Sequence, residues 1–375
     1  MQTRGNEVPI AAVISTCLKN KLTFAAYRLP ARSDITAVIQ KDHREEAAED
    51  FSGLLCRKGF IIAPFAMDGP KKRFVVCPDI LVKNSATMKQ LDDLNLISPI
   101  IPADFDRNDS HETTREEFLV QANEIIAATI GGDFEKIVLS RVKYVTVETD
   151  SRLQGIFSSL CATYPDAFVY IFRIQGQCWI GATPEPFLCS EGERLATVSL
   201  AGTRPFTEKN RDVKNWNNKE RLEQEIVTRQ IEGLLGEFNI SDIDKKGPFT
   251  RKTANLLHLC TSFSFPYENV AQQLNDFVNA LHPTSAVCGI PKEKSRRLIT
   301  SLEKHDREFY AGFLGPIGID GRMQLFVNLR CMKVYKDGLA LFVGGGITAG
   351  SIAKDEWEET EMKAETILSV LRGAS

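Results

Sequence analysis

MQLFVNLRCMKVYKDGLALFVGGGI, residues 323–347, decides the fold class. Two runs rich in β-branched and aromatic residues, 323–335 and 339–347, flank Tyr335-Lys336-Asp337-Gly338. A turn this short joins antiparallel neighbours, because parallel strands need a crossover of a dozen residues or more. Strand composition recurs at KIVLSRVKYVTV (136–147), AFVYIFRI (167–174), CWIGAT (178–183), ERLATVSLAG (193–202) and GFLGPIGI (312–319). Two long helical patterns interrupt these runs, one from about Asn218 to Phe238 and one from about Lys354 to Leu371. Strands in runs with a few long helices imply an α+β architecture.

Upstream, short apolar runs such as GFIIAPF (59–65) and RFVVCP (73–78) are broken by Gly, Pro and Asp. The polar stretch from Pro102 to Thr113 reads as a linker or long loop. Thr113 or Thr114 then caps a helix, with Glu116 and Glu117 in its first turn and Phe118, Ala122, Ile125, Ile126 and Thr129 on one stripe. No repeat or low-complexity tract occurs, so the expectation is one compact domain, with residues 1–112 a variable part of the same fold as 113–375.

Among 375 residues, 43% are hydrophobic and 25% charged, the balance of a globular chain. Net charge is −3 with no long basic run, which argues against a nucleic-acid surface. An anionic substrate must then be drawn by a few placed cations or a metal. No apolar stretch approaches a membrane span, and the start lacks the pattern of a signal peptide. Nine cysteines without a CxxC pair (Cys17, Cys56, Cys77, Cys161, Cys178, Cys189, Cys260, Cys288 and Cys331) read as reduced thiols of a cytoplasmic protein.

The segment GGGITAGSIAKDEWEETEMKAETIL (344–368) is the richest in chemistry. On its helix Glu356, Glu359 and Lys363 stand at i, i+3 and i+7 and share a face. Two carboxylates one turn apart can hold a hard cation, and a lysine beyond them can meet an anion. The plainer reading is an acidic helix N-terminus complementing the dipole, with an ordinary i,i+4 pair. The glycines are a tight turn or a place where bare N–H groups meet a carboxylate; the segment is neither a P-loop nor GxGxxG. NKERLEQEIVTRQIEGLL (218–235) offers a second pair, Glu220 and Glu223, which alone reads as a solvated face. Lys136 opens an apolar strand, Glu185 sits between two prolines in ATPEPF, LAGTRP (200–205) reads as a strand end followed by a turn at Gly202 and the Thr203 hydroxyl, and His282 precedes Pro283 in LHPTSAVCG. Each taken singly has an ordinary structural explanation.

In this order, EKIVLSR, GATPEPFL, LAGTRP, KERLEQEIV, LHPTSAVCG, REFYAGFLGPIG, FVNLRCMKV and FVGGGITAGS with EWEETEMKAETIL resemble the chorismate-utilising enzymes. The resemblance spans the last two-thirds of the chain. It implies a large α/β sandwich of extended antiparallel sheets flanked by helices, with the active site in a cleft. It implies Mg²⁺ on Glu223 and Glu359, with Glu220 and Glu356 as supporting acids. Gly202, Thr203, Tyr310, Arg330, Gly346 and Lys363 match positions around the substrate carboxylates, and His282 matches a histidine lining the pocket. Water-adding members carry a lysine at the place of Lys136, whereas the anthranilate branch has glutamine. The lysine nucleophile of the aminodeoxychorismate branch is replaced here by Ala201.

The expectation is therefore an isochorismate synthase, with salicylate synthase as the alternative and a non-catalytic anion- or metal-binding module as the reading from another class. Its product would feed menaquinone or siderophore synthesis. Water adds at C2 of chorismate, the ring double bonds shift, and the C4 hydroxyl leaves. Lys136 would be the general base and Glu185 the general acid, roles that ask desolvation to bring each proton near neutral pH. Mg²⁺ would act as a Lewis acid on the ring carboxylate. No glutaminase subunit is called for, and a monomer is expected.

Overall fold

The computed structural model describes residues 7–42, 44, 46–48, 58–66, 73–97, 111–149, 152–253 and 256–373. Cys56 and most of the Pro102–Thr113 stretch lie outside them.

Two antiparallel sheets carry the chain. The larger runs Glu7–Pro9, Ser85–Thr87, Ile80–Lys83, Ile35–Ile39, Phe24–Arg28, Phe168–Ile174, Gln177–Thr183, Cys331–Tyr335, Gly338–Ile347, Lys136–Thr146, Gly289–Ile290. The smaller runs Asp244–Thr253, Leu256–Pro266, Arg194–Pro205, Pro186–Glu191, Arg322–Val327, Phe313–Ile319, Gly59–Ala63, Arg73–Val76, Glu46–Ala48. Strands from the first ninety residues form one end of each sheet, joined to the rest by the pairing of Phe24–Arg28 with Phe168–Ile174 and of Gly59–Ala63 with Phe313–Ile319.

The strand Phe168–Ile174 explains the layering. Its even-numbered side chains Phe168, Tyr170, Phe172 and Ile174 join the core between the sheets, while Val169 and Ile171 face the helical side. Both faces of this strand are buried, so apolar residues run consecutively from Phe168 to Phe172 rather than alternating with polar ones. Phe168 of the large sheet stacks on Phe326 of the small one at 4.2 Å between ring centroids, locking the sandwich. The helices Ile10–Lys19, Leu153–Thr163 and Ala353–Gly373 cover the outer face of the large sheet. The helix Asn218–Glu237 lies against Arg194–Pro205 of the small sheet. Thr114 caps Arg115–Ile130 by accepting a hydrogen bond from Glu117 N at 3.2 Å. None of the helices is long and apolar enough to cross a membrane, among the described residues.

Two expectations are corrected. The run 323–335 is not one strand: it breaks at Asn328–Arg330, where Arg330 takes φ +49°, and the chain passes from the small sheet to the large one. LAGTRP does not end its strand either. Arg194–Pro205 continues through it, with a register shift between Ala201 and Arg204 and Gly202 at φ +72°. Composition cannot reveal a change of sheet, because both halves of a crossing strand are equally apolar.

Candidate active site

The sheets are linked twice at one end of the sandwich. The chain leaves the large sheet at Thr183 and enters the small one at Pro186, and it returns between Val327 and Cys331. The two crossings are tied together: Val327 N donates to Glu185 O at 2.9 Å, and Thr183 Oγ1 donates to Val327 O at 2.6 Å. Between them opens a cleft of roughly 690 Å³, mouth included. Its wall holds Glu185, Gly202, Thr203, Glu223, Tyr310, Arg330, Gly346 and Lys363, eight of the residues expected from sequence.

Glu185 is 4% exposed. Burial pushes its carboxyl up to about 7, against the opposing charges of Lys136, Arg251, Lys363 and Arg330. A carboxyl near neutrality can hold a proton and release it, the requirement for an acid at physiological pH. Arg330 is held down to about 10 by burial. Burial pushes the Tyr310 hydroxyl above its usual range, so it stays a donor, and the ring stacks on Phe342 at 5.5 Å. Arg330, Tyr310 and Lys363 together make a cationic, donor-rich wall suited to carboxylates.

Lys136 does not line the cleft. It is fully buried behind it, with Nζ 3.1 Å from Glu223 Oε1. Gly346 explains how this fits: any side chain there would collide with Glu223 Oε1 and the Lys136 stem. Gly346 pairs with Val138 in the ladder between Gly338–Ile347 and Lys136–Thr146, so the glycine run is strand, not a turn.

The acids lie across this edge. Lys363 Nζ is 2.7 Å from Glu359 Oε1 and donates to Gly344 O at 2.9 Å. Burial opposes the charge on Glu359, but the Lys363, Lys219 and Lys136 cations outweigh it and hold the carboxyl below its usual range. Burial and the Glu359 charge push Glu356 upward. Glu356 is 1% exposed, and its Oε2 has no hydrogen-bond partner. That oxygen and Glu359 Oε1 flank the bare Gly345, each 3.6 Å from where a methyl group would sit. An orphaned carboxylate oxygen beside a second acid suits a hard cation. Among the described residues no three acidic, His or Cys side chains form a metal cage. Mg²⁺ needs none, since it binds through one or two carboxylates, waters and substrate anions.

Two site expectations fail on geometry. Glu220 is committed elsewhere: Oε2 accepts from Asn217 N at 3.2 Å in a capping box, and Oε1 from Arg204 Nε at 2.7 Å. His282 is absent from the cleft wall. Burial holds it neutral, down to about 3, and Nε2 lies 3.0 Å from Pro64 O and 3.1 Å from Phe65 O, so the ring donates to both. A different histidine, His258, lines the cleft. Its Nδ1 donates to Gly202 O at 2.9 Å and Nε2 accepts from Arg330 Nη2 at 3.1 Å, with burial holding the ring neutral. It thereby joins the Gly202 bulge to Arg330. Its strand, Leu256–Pro266, is absent from the sequence reading, where the alternation of TSFSF (261–265) was the available signal, and nothing in the sequence marks the histidine.

The sequence pattern of the family described as "Chorismate binding enzyme" matches residues 77–372. The chain belongs to that family. It is 30% identical over 271 residues to isochorismate synthase EntC of Escherichia coli K12, covering 69% of this chain and 67% of that protein. It is 30% identical over 266 residues to the putative isochorismate synthase MenF of Mycobacterium tuberculosis, covering 67% and 71%. Its fold is that of the putative 2,3-dihydroxybenzoate-specific isochorismate synthase DhbC from Bacillus anthracis, with TM-score 0.77 at 21% identity over 98% of this chain and 100% of that one.

Proposed function

We propose that this chain is an isochorismate synthase, an isomerase that converts chorismate to isochorismate. The observation that carries the reading is Glu185, buried in the cleft wall, with Lys136 enclosed directly behind the same wall beside Glu223. Lys136 is the foremost charge acting on the Glu185 carboxyl, whose proton is held to about 7. A binding module would need no such base and acid at one place.

Arg330, Tyr310, Lys363 and the Gly202–Thr203 bulge orient the substrate carboxylates. His258 braces two of these groups. In its neutral amine form Lys136 takes a proton from the incoming water, and protonated Glu185 delivers one to the C4 hydroxyl, which departs as water. Glu359 and Glu223 would hold Mg²⁺, assisted by Glu356, and the ion would supply Lewis-acid polarisation of the ring carboxylate. The catalytic groups named come from one chain, so a monomer suffices, and Lys136 supports the use of water without a glutaminase subunit. Cysteines that form no disulfide, such as Cys17, Cys178 and Cys260, support a reducing, cytoplasmic setting.

Incubation with chorismate and Mg²⁺ followed by separation of products tests the reading. Isochorismate and chorismate should approach equilibrium from either side, with no pyruvate released. Accumulation of pyruvate and salicylate at the rate of chorismate loss would instead establish a salicylate synthase. For the metal, excess chelator should abolish turnover reversibly, and Glu223→Gln and Glu359→Gln should each raise the Mg²⁺ concentration needed for half-maximal rate about tenfold or more. Full activity in chelator would rule the ion out.

A further inference from the structure

Three lysines each sit on one of the three acids at the glycine edge. Lys136 is 3.1 Å from Glu223, Lys363 is 2.7 Å from Glu359, and Lys219 is 2.5 Å from Glu356. They are not equivalent. The Lys136 side chain is 1% exposed and that of Lys363 20%, whereas Lys219 is 31% exposed. Lys136 is enclosed, and Lys363 is tied to Gly344 O as well. Lys219 has one partner among the hydrogen bonds that hold it, Glu356 Oε1, and it stands in the first turn of Asn218–Glu237 with a path to solvent.

We propose that Lys219 gates the metal site: its ammonium holds the carboxylate that a divalent cation uses, so cation entry opens the Lys219–Glu356 pair. This rests on the reading of Glu223, Glu356 and Glu359 as the acids that receive Mg²⁺. The observation pointing to a cation is geometric: Glu356 Oε2 is buried, has no hydrogen-bond partner and faces the bare Gly345 together with Glu359 Oε1. A fixed positive charge at this distance opposes a second cation. Swinging the flexible lysine stem into water removes that opposition, since an ammonium is a strongly hydrated charge on a mobile chain. Lys219 is therefore a positioning residue that sets cation affinity, separate from any part in the chemistry. The device also discriminates: a monovalent ion gains little over the ammonium it displaces, while a divalent ion gains more.

The test uses the full chain without chorismate, with Mn²⁺ as the probe, read by loss of the free-ion electron paramagnetic resonance signal and by its displacement with Mg²⁺. Lys219→Met should bind Mn²⁺ on the order of tenfold more tightly than wild type. Lys219→Gln should show a similar gain and guards against a packing defect in the methionine variant. Lys219→Arg keeps the charge and should stay near wild type, which a merely structural role for the stem would not predict. Unchanged or weaker Mn²⁺ binding in both neutral variants, with wild-type binding intact, overturns the gate and leaves the metal reading standing. Absence of Mn²⁺ binding in wild type and variants alike overturns both.

Discussion

Lys136→Gln is expected to lose on the order of 10²- to 10⁴-fold in kcat while KM for chorismate moves only a few-fold. The lysine is buried behind the cleft, so it contributes little contact area to the bound substrate. A group that acts only as water attacks affects turnover and spares binding. The structure adds a second expectation. Glu223 loses its 3.1 Å counter-charge in this variant, so a cation should bind at least as well as in wild type. Steady-state kinetics with saturating Mg²⁺, together with a folded circular-dichroism spectrum, decides the matter. Near-normal kcat in the folded variant would refute the base assignment.

Glu185→Gln should cost a comparable factor in kcat, and its pH profile makes the test specific. With the carboxyl near 7, the protonated acid predominates below that pH and its fraction falls about tenfold per unit above it. Wild-type turnover should therefore decline on the alkaline side with a midpoint near 7, and the residual activity of Glu185→Gln should lack that limb. The same shift acts on stability with a definite sign. The folded state binds this proton more tightly than the unfolded chain, whose carboxyl lies near 4.5. That contribution is fully present below about 4.5 and is lost as pH rises through about 7. Glutamine, neutral throughout, should make the variant more stable than wild type at pH 8 while leaving it nearly inactive. Lower stability at pH 8, or an unchanged alkaline limb, would remove Glu185 from the acid role.

What was local was legible in the sequence. Strand composition located the runs at 136–147, 167–174 and 339–347, the Tyr335–Gly338 hairpin followed from turn length, and Thr114 with Glu117 marked a helix start. These features depend on neighbours within one element, which the chain order states directly. The tertiary structure alone decided which groups meet. Glu220 and Glu223 occupy one helix a turn apart, yet the first is drawn into a cap and onto Arg204, while the second reaches Lys136. His282 and His258 are both buried histidines. The first donates to carbonyls of the 64–65 segment, more than two hundred residues away, and only the second reaches the cleft. Arg330 reaches it because an apolar run changes sheets at a residue with positive φ. Such outcomes follow from strand order and side-chain direction across the sandwich. These are set by packing between segments far apart in the chain, and no local periodicity records them.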